Sequence, residues 1–197
     1  MVRAATVDPM QVAPVTFVRH AMPVTDSAVA PTHWHLDDEG VHAAGRLADR
    51  LEVGAHLGGL VASTEPKAME TAGPIGERWA APVVGDDRLR EVVRPWTGPG
   101  YRSVAHRYLR GELPDGWEPH DEVAERAGTA IQEARDRAEG GPVVVVSHGL
   151  VLAVHLGARL GPDFDREAFW SCLAFPDAWG LDEHGTLHRP QLGATSR

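Results

Sequence analysis

The sequence predicts an α/β fold, a three-layer α/β/α sandwich with a mostly parallel central sheet in a single domain. Short apolar runs rich in β-branched residues alternate along the chain with longer segments whose apolar residues recur at helical spacing. The strongest short run, at 143–147, is followed at once by an apolar helical segment, as expected for a parallel strand covered by a helix. A length of 197 residues is typical of one domain.

The first part of the chain contains two predicted strands and two predicted helices. A strand covers 15–18, and a helix from about 38 to 52 follows it, with Asp37 as the N-cap. A second strand covers 59–63 and leads into a helix over 66–79, which has a proline in its first turn. The predicted apolar face of the first helix consists of Val41, Ala44, Leu47 and Leu51.

The rest of the chain continues this alternation. In chain order the predicted elements are a weaker strand over 88–92, helices over 101–110 and 121–139, a strand over 143–147, a helix over 149–160, and two short strands after Cys172 with a turn at 183–185. We expect Cys172 itself to lie in the core. A single domain is predicted to span 14–190, between a disordered or loosely packed arm at 1–13 and a flexible tail at 191–197.

Composition excludes several classes of function. The net charge of −9 argues against a surface for nucleic acid or for an anionic membrane, because both need clustered positive charge. The sequence has no apolar run long enough to cross a bilayer, and its first residues lack the apolar core of a signal peptide. Cys172 is the only cysteine, so we expect a cytoplasmic protein without an internal disulfide.

Polar side chains follow three of the predicted strands. The first strand ends at Arg19 and His20, the second at 63–65 with Lys67 shortly after, and the strand at 143–147 runs into His148. The carboxyl ends of parallel strands lie on one edge of the sheet, where ligands bind in open α/β folds. Two histidines and two cations on one edge predict a site for an anionic ligand.

The segments that carry these side chains resemble a known family. Residues 17–21 (FVRHA) are similar to the Arg-His-Gly signature of the histidine phosphatase, or phosphoglycerate mutase-like, superfamily. Four later segments resemble further sequence elements of this family and occur in the same order as in the family: 34–40 (WHLDDEG), 62–72 (ASTEPKAMETA), 89–91 (LRE) and 146–149 (VSHG). This resemblance implies a metal-independent phosphatase that hydrolyses a phosphorylated small molecule through a phosphohistidine intermediate, with no cofactor.

The resemblance also implies roles for single residues, each with a physical reason. Neutral His20 can attack phosphorus with one ring nitrogen if its other nitrogen donates to a backbone carbonyl. The guanidinium of Arg19 suits two phosphoryl oxygens. His148, if protonated beside the phosphate, stabilises charge on its oxygens. Glu91 is the candidate acid, which protonates the leaving oxygen and then takes a proton from the attacking water.

Two departures from the family pattern fall within the predicted phosphate site. Ala21 replaces the glycine after the nucleophile, and its backbone is still expected to contact the phosphate. Lys67 replaces the family's second phosphate-binding arginine and supplies the charge without the two-pronged guanidinium. Lys67 is also the only lysine in an arginine-rich chain, which favours a functional reason for keeping it.

Several alternatives compete with this hypothesis. A metal site is suggested by His33 and His35 together with Asp37, Asp38 and His42, but their spacing matches no ligand motif, so a polar loop is favoured. Ser147 sits at a strand-to-helix turn as a hydrolase nucleophile does, yet the glycine expected two residues earlier is absent. A phosphoglycerate mutase-type phosphotransferase is disfavoured because residues 91–96 (EVVRPW) do not resemble the mutase run Glu-Arg-x-Tyr-Gly. A non-catalytic phospho-ligand binder would not need Glu91. The substrate and the oligomeric state stay open.

Overall fold

The computed structural model describes residues 15–53, 56–96, 98–182 and 184–189. Within these residues a six-stranded sheet lies between two layers of helices, which confirms the predicted three-layer α/β/α fold. The predicted arm at 1–13 and tail at 191–197 lie outside the described residues. No helix in the described ranges is both long and apolar enough to span a lipid bilayer.

The strands are β1 (Val15–Arg19), β2 (Gly59–Ala62), β3 (Val83–Gly85), β4 (Val143–Ser147), β5 (Asp177–Leu181) and β6 (Leu187–His188). The α-helices are α1 (Asp38–Arg50), α2 (Pro66–Trp79), α3 (Tyr101–Leu109), α4 (His120–Arg137), α5 (Gly149–Leu160) and α6 (Arg166–Cys172). Short 3-10 helices cover Pro31–His33, Asp87–Leu89 and Gly98–Gly100. The strand order is β3-β2-β4-β1-β5-β6. The first four strands in this order are parallel, whereas β5 and β6 are antiparallel to their neighbours.

Alternate side chains of β4 build the two halves of the core. Val143 and Val145 pack with α3, α4, α5 and α6 on one face of the sheet, and Val144 and Val146 pack with α1 and α2 on the other. All four valines are almost fully buried. A strand buried on both faces has no polar face, which is why an uninterrupted run of valines forms the centre of this sheet.

The helix α1 follows its sequence pattern except at its first turn. The side chain of Asp37 accepts a hydrogen bond from the backbone N–H of Gly40 at 2.8 Å, so the predicted N-cap is confirmed. Ala44, Leu47 and Leu51 are buried, as predicted, but Val41 is 45% exposed. At about 100° per residue, Val41 lies at the margin of the buried face rather than on it.

The predicted strand at 88–92 is wrong. Asp87–Leu89 is a 3-10 helix, and the residues that follow it do not pair in the sheet. Backbone carbonyls that would accept hydrogen bonds from a neighbouring strand in a sheet accept them here from a side chain: Arg126 donates to the carbonyls of Arg88 and Arg90. The edge strand is instead β3, a shorter apolar segment that the sequence analysis missed.

The predictions for the carboxyl-terminal part need two corrections. The helix α6, which ends at Cys172, was not predicted, and Cys172 is exposed instead of buried in the core. The two predicted short strands are present as β5 and β6. The other helices match their predicted ranges to within two residues at each end.

Candidate active site

The order of the strands brings the two histidines together. Because β4 lies between β1 and β2, the carboxyl ends of these three strands are adjacent on one edge of the sheet. The backbone N–H of His20 donates to the carbonyl of Ser147 at 3.0 Å, which ties the start of one loop to the end of the neighbouring strand. The rings of His20 and His148 meet edge to face with centroids 5.1 Å apart.

The ring of His20 is held in one tautomer. Its Nδ1 lies 2.7 Å from the carbonyl oxygen of Ala21, and since a carbonyl can only accept, Nδ1 donates and Nε2 keeps its lone pair. Burial lowers the pKa of His20 to about 3, and the nearby cations Lys67 and Arg19 act in the same direction. His20 is therefore a neutral imidazole with a free ring nitrogen at any pH near neutrality.

His148 is fully buried beneath this ring. Its Nε2 lies 2.8 Å from the hydroxyl of Ser63 and 3.6 Å from a carboxylate oxygen of Glu65. Its Nδ1 is buried and has no hydrogen-bond partner in the described part of the chain. Burial, followed by the effect of His20 and Lys67, lowers the pKa of His148 well below 6.5. We therefore expect His148 to be neutral until an anion binds beside it.

Arg19 presents a charge at the same edge and is fixed by its surroundings. One terminal nitrogen donates to the carbonyl of Leu173 at 3.0 Å, and the guanidinium carbon lies 3.4 Å from the centre of the Phe175 ring. A Cβ at position 149 would lie 3.2 Å from Arg19 Nε and 3.0 Å from Trp170, so Gly149 makes room for this arrangement. Burial lowers the pKa of Arg19 to about 10, which leaves it charged near neutrality.

Lys67 and Ala21, the other expected phosphate contacts, both have partners within the protein. The Lys67 ammonium is ion-paired with Glu65 and donates to the carbonyl of Pro31 at 2.7 Å. The backbone N–H of Ala21 donates to the hydroxyl of Thr71 at 2.9 Å. Phosphate contacts by Lys67 and Ala21 therefore stay predictions, and they require these bonds to be exchanged or shared.

Glu91 is held at the site through its backbone. Its N–H donates to Glu65 at 2.7 Å, and its own carboxylate accepts from the N–H of Val92 at 2.9 Å. The preceding 3-10 helix is anchored to the sheet because the hydroxyl of Ser147 donates to the carbonyl of Leu89 at 2.8 Å. That bond, together with complete burial, makes Ser147 a structural side chain and not an accessible nucleophile.

A cavity of about 390 Å³ lies beside the histidines, on the side of Glu91. Its lining consists of residues 27–32, Glu65, Lys67, residues 90–94 and Trp96. Neither His20 nor His148 lines it. The apolar lining includes Val29 and Trp96, and Arg94 adds a half-buried positive charge.

Two side chains at the site had no assigned role in the sequence analysis. Glu65 contacts Lys67, Glu91 and His148, and Phe175 packs on His20 with ring centroids 5.4 Å apart. A carboxylate two residues before the only lysine was a usable signal for Glu65. Nothing near Phe175 in the sequence indicated that β5 would bring it back to the site.

The histidines of the rejected metal hypothesis lie in other surroundings. His33 and His42 are exposed, and His35 pairs with Glu70 at 2.5 Å. Among the described residues, no group of three or more His, Cys, Asp or Glu side chains is arranged to hold a metal ion.

Comparisons with known proteins agree with this arrangement. The sequence model of the histidine phosphatase superfamily (branch 1) matches residues 15–174. An uncharacterized protein of Mycobacterium tuberculosis is 34% identical over 143 residues, covering 66% of this chain and 70% of the relative. Phosphoglycerate mutase-like protein 4 of Arabidopsis thaliana is 29% identical over 133 residues, covering 59% of this chain and 56% of that protein.

Solved structures share the fold. A mycobacterial glucosyl-3-phosphoglycerate phosphatase in complex with inorganic phosphate superposes with a TM-score of 0.69 at 23% identity, covering 94% of this chain and all of that one. YhfR of Bacillus stearothermophilus superposes with a TM-score of 0.65 at 27% identity, covering 92% of this chain and 98% of its own.

Proposed function

The chain belongs to the histidine phosphatase superfamily, and from that premise we propose that it hydrolyses a small-molecule phosphate monoester through a phosphohistidine on His20. The observation that carries the proposal is the state of the His20 ring, which is neutral and oriented by the carbonyl of Ala21 so that Nε2 keeps a lone pair. A nitrogen nucleophile held in this way needs no base to activate it.

The first chemical step would transfer the phosphoryl group to His20. Nε2 attacks phosphorus in line with the leaving oxygen, while Arg19 and Lys67 stabilise the charge on the phosphoryl oxygens. Glu91 donates a proton to the leaving oxygen, so an alcohol departs. As negative charge enters beside it, His148 takes up a proton and stabilises the phosphoryl group.

The second step would return His20 to its neutral state. A water takes the place of the alcohol, Glu91 accepts one of its protons, and the oxygen attacks phosphorus as the bond to Nε2 breaks. The products are inorganic phosphate and the free imidazole.

We place the alcohol portion of the substrate in the cavity beside Glu91, because Glu91 both lines this cavity and would donate the proton to the leaving oxygen. The lone cysteine supports the further proposal of a cytoplasmic enzyme.

A mutase is the rival within the family. It would return the phosphoryl group to a second hydroxyl of the substrate instead of to water, and one relative is named mutase-like. Residues 91–96 do not resemble the mutase run, which favours hydrolysis.

The experiment that tests the proposal is a panel of phosphate monoesters assayed for release of inorganic phosphate, with and without a chelator. We expect hydrolysis of at least one class of monoester that exhaustive chelation does not abolish, because Arg19 and Lys67 supply the charge that a metal ion would otherwise supply. Isomerised phosphate esters without phosphate release would favour the mutase. Loss of activity on chelation, restored by one metal, would contradict metal independence.

A further inference from the structure

Glu65 lies at the centre of the candidate site, although no motif assigned it a role. It occupies the position before α2, yet its side chain does not cap that helix. It is buried, and both of its oxygens have partners inside the site. A buried carboxylate in a pocket meant for a phosphoryl group is unexpected, because like charges repel strongly where water is excluded.

One oxygen of Glu65 is paired with Lys67, the cation that the phosphoryl group needs. Oε2 accepts from the ammonium of Lys67, and the carbonyl of Pro31 accepts from the same ammonium. An ammonium has three donors, so two of the three directions of Lys67 are taken. The charge of Lys67 is balanced by Glu65 within the protein.

The other oxygen of Glu65 connects this pair to the acid and to the second histidine. Oε1 accepts from the backbone N–H of Glu91 at 2.7 Å and lies 3.6 Å from Nε2 of His148. A phosphoryl group between Lys67 and the histidines would therefore meet this carboxylate.

We propose that Glu65 is a positioning residue that competes with the phosphoryl group for Lys67. In the free enzyme it holds Lys67. When a phosphate dianion binds, Lys67 turns to the phosphoryl oxygens and Glu65 takes one proton from solvent. When phosphate leaves, that proton returns to solvent and Glu65 pairs with Lys67 again. The inference rests on the proposed function, because it assigns the phosphoryl group to the same site.

The electrostatic surroundings of Glu65 favour this exchange. Burial raises the pKa of Glu65 even beside Lys67, and the carboxylate of Glu91 acts in the same direction. The other groups that face it are His148, whose own pKa is lowered, and the cation Arg94. Replacing its partner Lys67 by a second anion would raise the pKa of Glu65 further, so proton uptake accompanies phosphate binding.

The consequence is weak product inhibition. Arg19 and Lys67 together would hold inorganic phosphate tightly if both charges were free. A carboxylate that reclaims Lys67 lowers the affinity for phosphate while leaving a cation available for the transition state. A purely structural Glu65, by contrast, would keep Lys67 throughout and take up no proton.

The test measures binding of inorganic phosphate by titration calorimetry in buffers of different ionisation enthalpy, which counts the protons taken up. Wild type is compared with Glu65→Gln, whose amide oxygen can still accept from the N–H of Glu91. We expect Glu65→Gln to bind phosphate about tenfold more tightly, because a like charge has been removed. It should also take up about one proton fewer than wild type. Competitive inhibition of aryl phosphate hydrolysis by phosphate should strengthen in parallel.

Two further variants separate this role from a structural one. Glu77→Gln removes an exposed carboxylate from the same helix and should match wild type in affinity and in proton count. Glu65→Asp keeps the charge and should keep the proton uptake, with melting temperatures reported for every variant to show that each is folded.

The outcomes distinguish two failures. If wild type hydrolyses monoesters but Glu65→Gln binds phosphate no more tightly and takes up as many protons, the competition is wrong and the proposed function stands. A wild type that neither hydrolyses any monoester nor binds phosphate would overturn the proposed function and this inference together.

Discussion

The chemistry of each histidine depends on which of its ring nitrogens carries a proton. Burial keeps both rings neutral in the free enzyme, lowering the pKa of His20 to about 3 and that of His148 well below 6.5. The two rings differ in their partners. The carbonyl of Ala21 fixes one nitrogen of His20, whereas Nδ1 of His148 has no partner in the described part of the chain. His20 is thus arranged to give an electron pair, and His148 to receive a proton when an anion arrives.

Glu91 is the proposed donor of the proton to the leaving oxygen, and a substitution at this one residue tests that role. Glu91→Gln keeps the shape but cannot donate as an acid. We expect it to slow alkyl phosphates by about a hundredfold or more, and aryl phosphates with good leaving groups by less than about tenfold. The measurement is kcat/KM across a leaving-group series. Equal losses on both classes would remove Glu91 from the acid's role.

Sequence reasoning at the residue scale found the groups that have family counterparts. It predicted Arg19, His20 and His148 on one edge of the sheet, and the structure brings them together. It did not use the nearby Glu65, which is ion-paired with Lys67, and it could not predict the hydrogen bond from Lys67 to the carbonyl of Pro31, because that contact joins α2 to a distant part of the chain. A strand-end motif names which residues are near the site, but not which of them are already bonded.

At the scale of elements, the segment that carries Glu91 is held by side chains and not by a strand pairing. Arg126 of α4 donates to the carbonyls of Arg88 and Arg90 at 2.6 and 2.9 Å, and it is ion-paired with Glu118 at 2.6 Å. Both side chains of that pair are largely buried. Glu118 in turn accepts from the backbone N–H of Val93 at 3.0 Å.

We expect Arg126→Met to lower the free energy of unfolding by about 3 kcal/mol, because it leaves Glu118 buried without its partner. It should also lower kcat, since the position of Glu91 depends on the same contacts. Urea denaturation and steady-state kinetics measure both effects. Arg137→Met is the matched control on α4, because its ion pair with Glu133 at 3.7 Å is exposed and costs less than about 1 kcal/mol to lose. Equal effects of the two variants would contradict this account.

The same segment explains where the prediction of elements failed. Buried strands such as β4 are recognisable because their own side chains carry the pattern. The segment 88–92 (RLREV) has apolar residues only at positions 89 and 92, and its backbone partners come from Arg126 and Glu65, which are distant in sequence. No local pattern indicates such partners, so a strand was predicted where the chain is held by side chains and does not pair in the sheet.

At the scale of the whole molecule, buried histidines make stability depend on pH. His155 of α5 is half-buried and packs against the core residue Phe17, with ring centroids 5.7 Å apart, and its withdrawal from water lowers its pKa to about 4 from an ordinary value of 6.5. Between these values the unfolded chain binds a proton that the folded chain does not. The stability that neutral His155 allows is therefore complete above about pH 6.5 and is lost as the pH falls towards 4.

We expect His155→Leu to reduce the fall in unfolding free energy between about pH 8 and pH 5 by about 2 kcal/mol. The measurement is urea denaturation at a series of pH values. His42→Gln, an exposed histidine on α1, is the control and should leave the pH dependence as in wild type. An unchanged pH dependence in His155→Leu would show that His155 is not held neutral in the folded protein.

The architecture was predictable at this scale because it follows from patterns that repeat over many residues. Alternating strands and helices predicted the layered sheet, and the sheet order then fixes which strand ends meet. The cavity beside Glu91 was not predictable in shape, since it forms between residues 27–32 and 90–96, two irregular segments without a periodic pattern.

The central claim is that His20 carries the phosphoryl group, and trapping the phosphoenzyme tests it most directly. Enzyme mixed with substrate is quenched in alkali, in which phosphohistidine survives, and the modified residue is located by mass spectrometry of its peptides. The account predicts one acid-labile, base-stable phosphoryl group on His20, and neither label nor turnover in His20→Ala. A His20→Ala enzyme that turns over at a substantial rate, or a phosphoryl group on another residue of the active wild type, would contradict it.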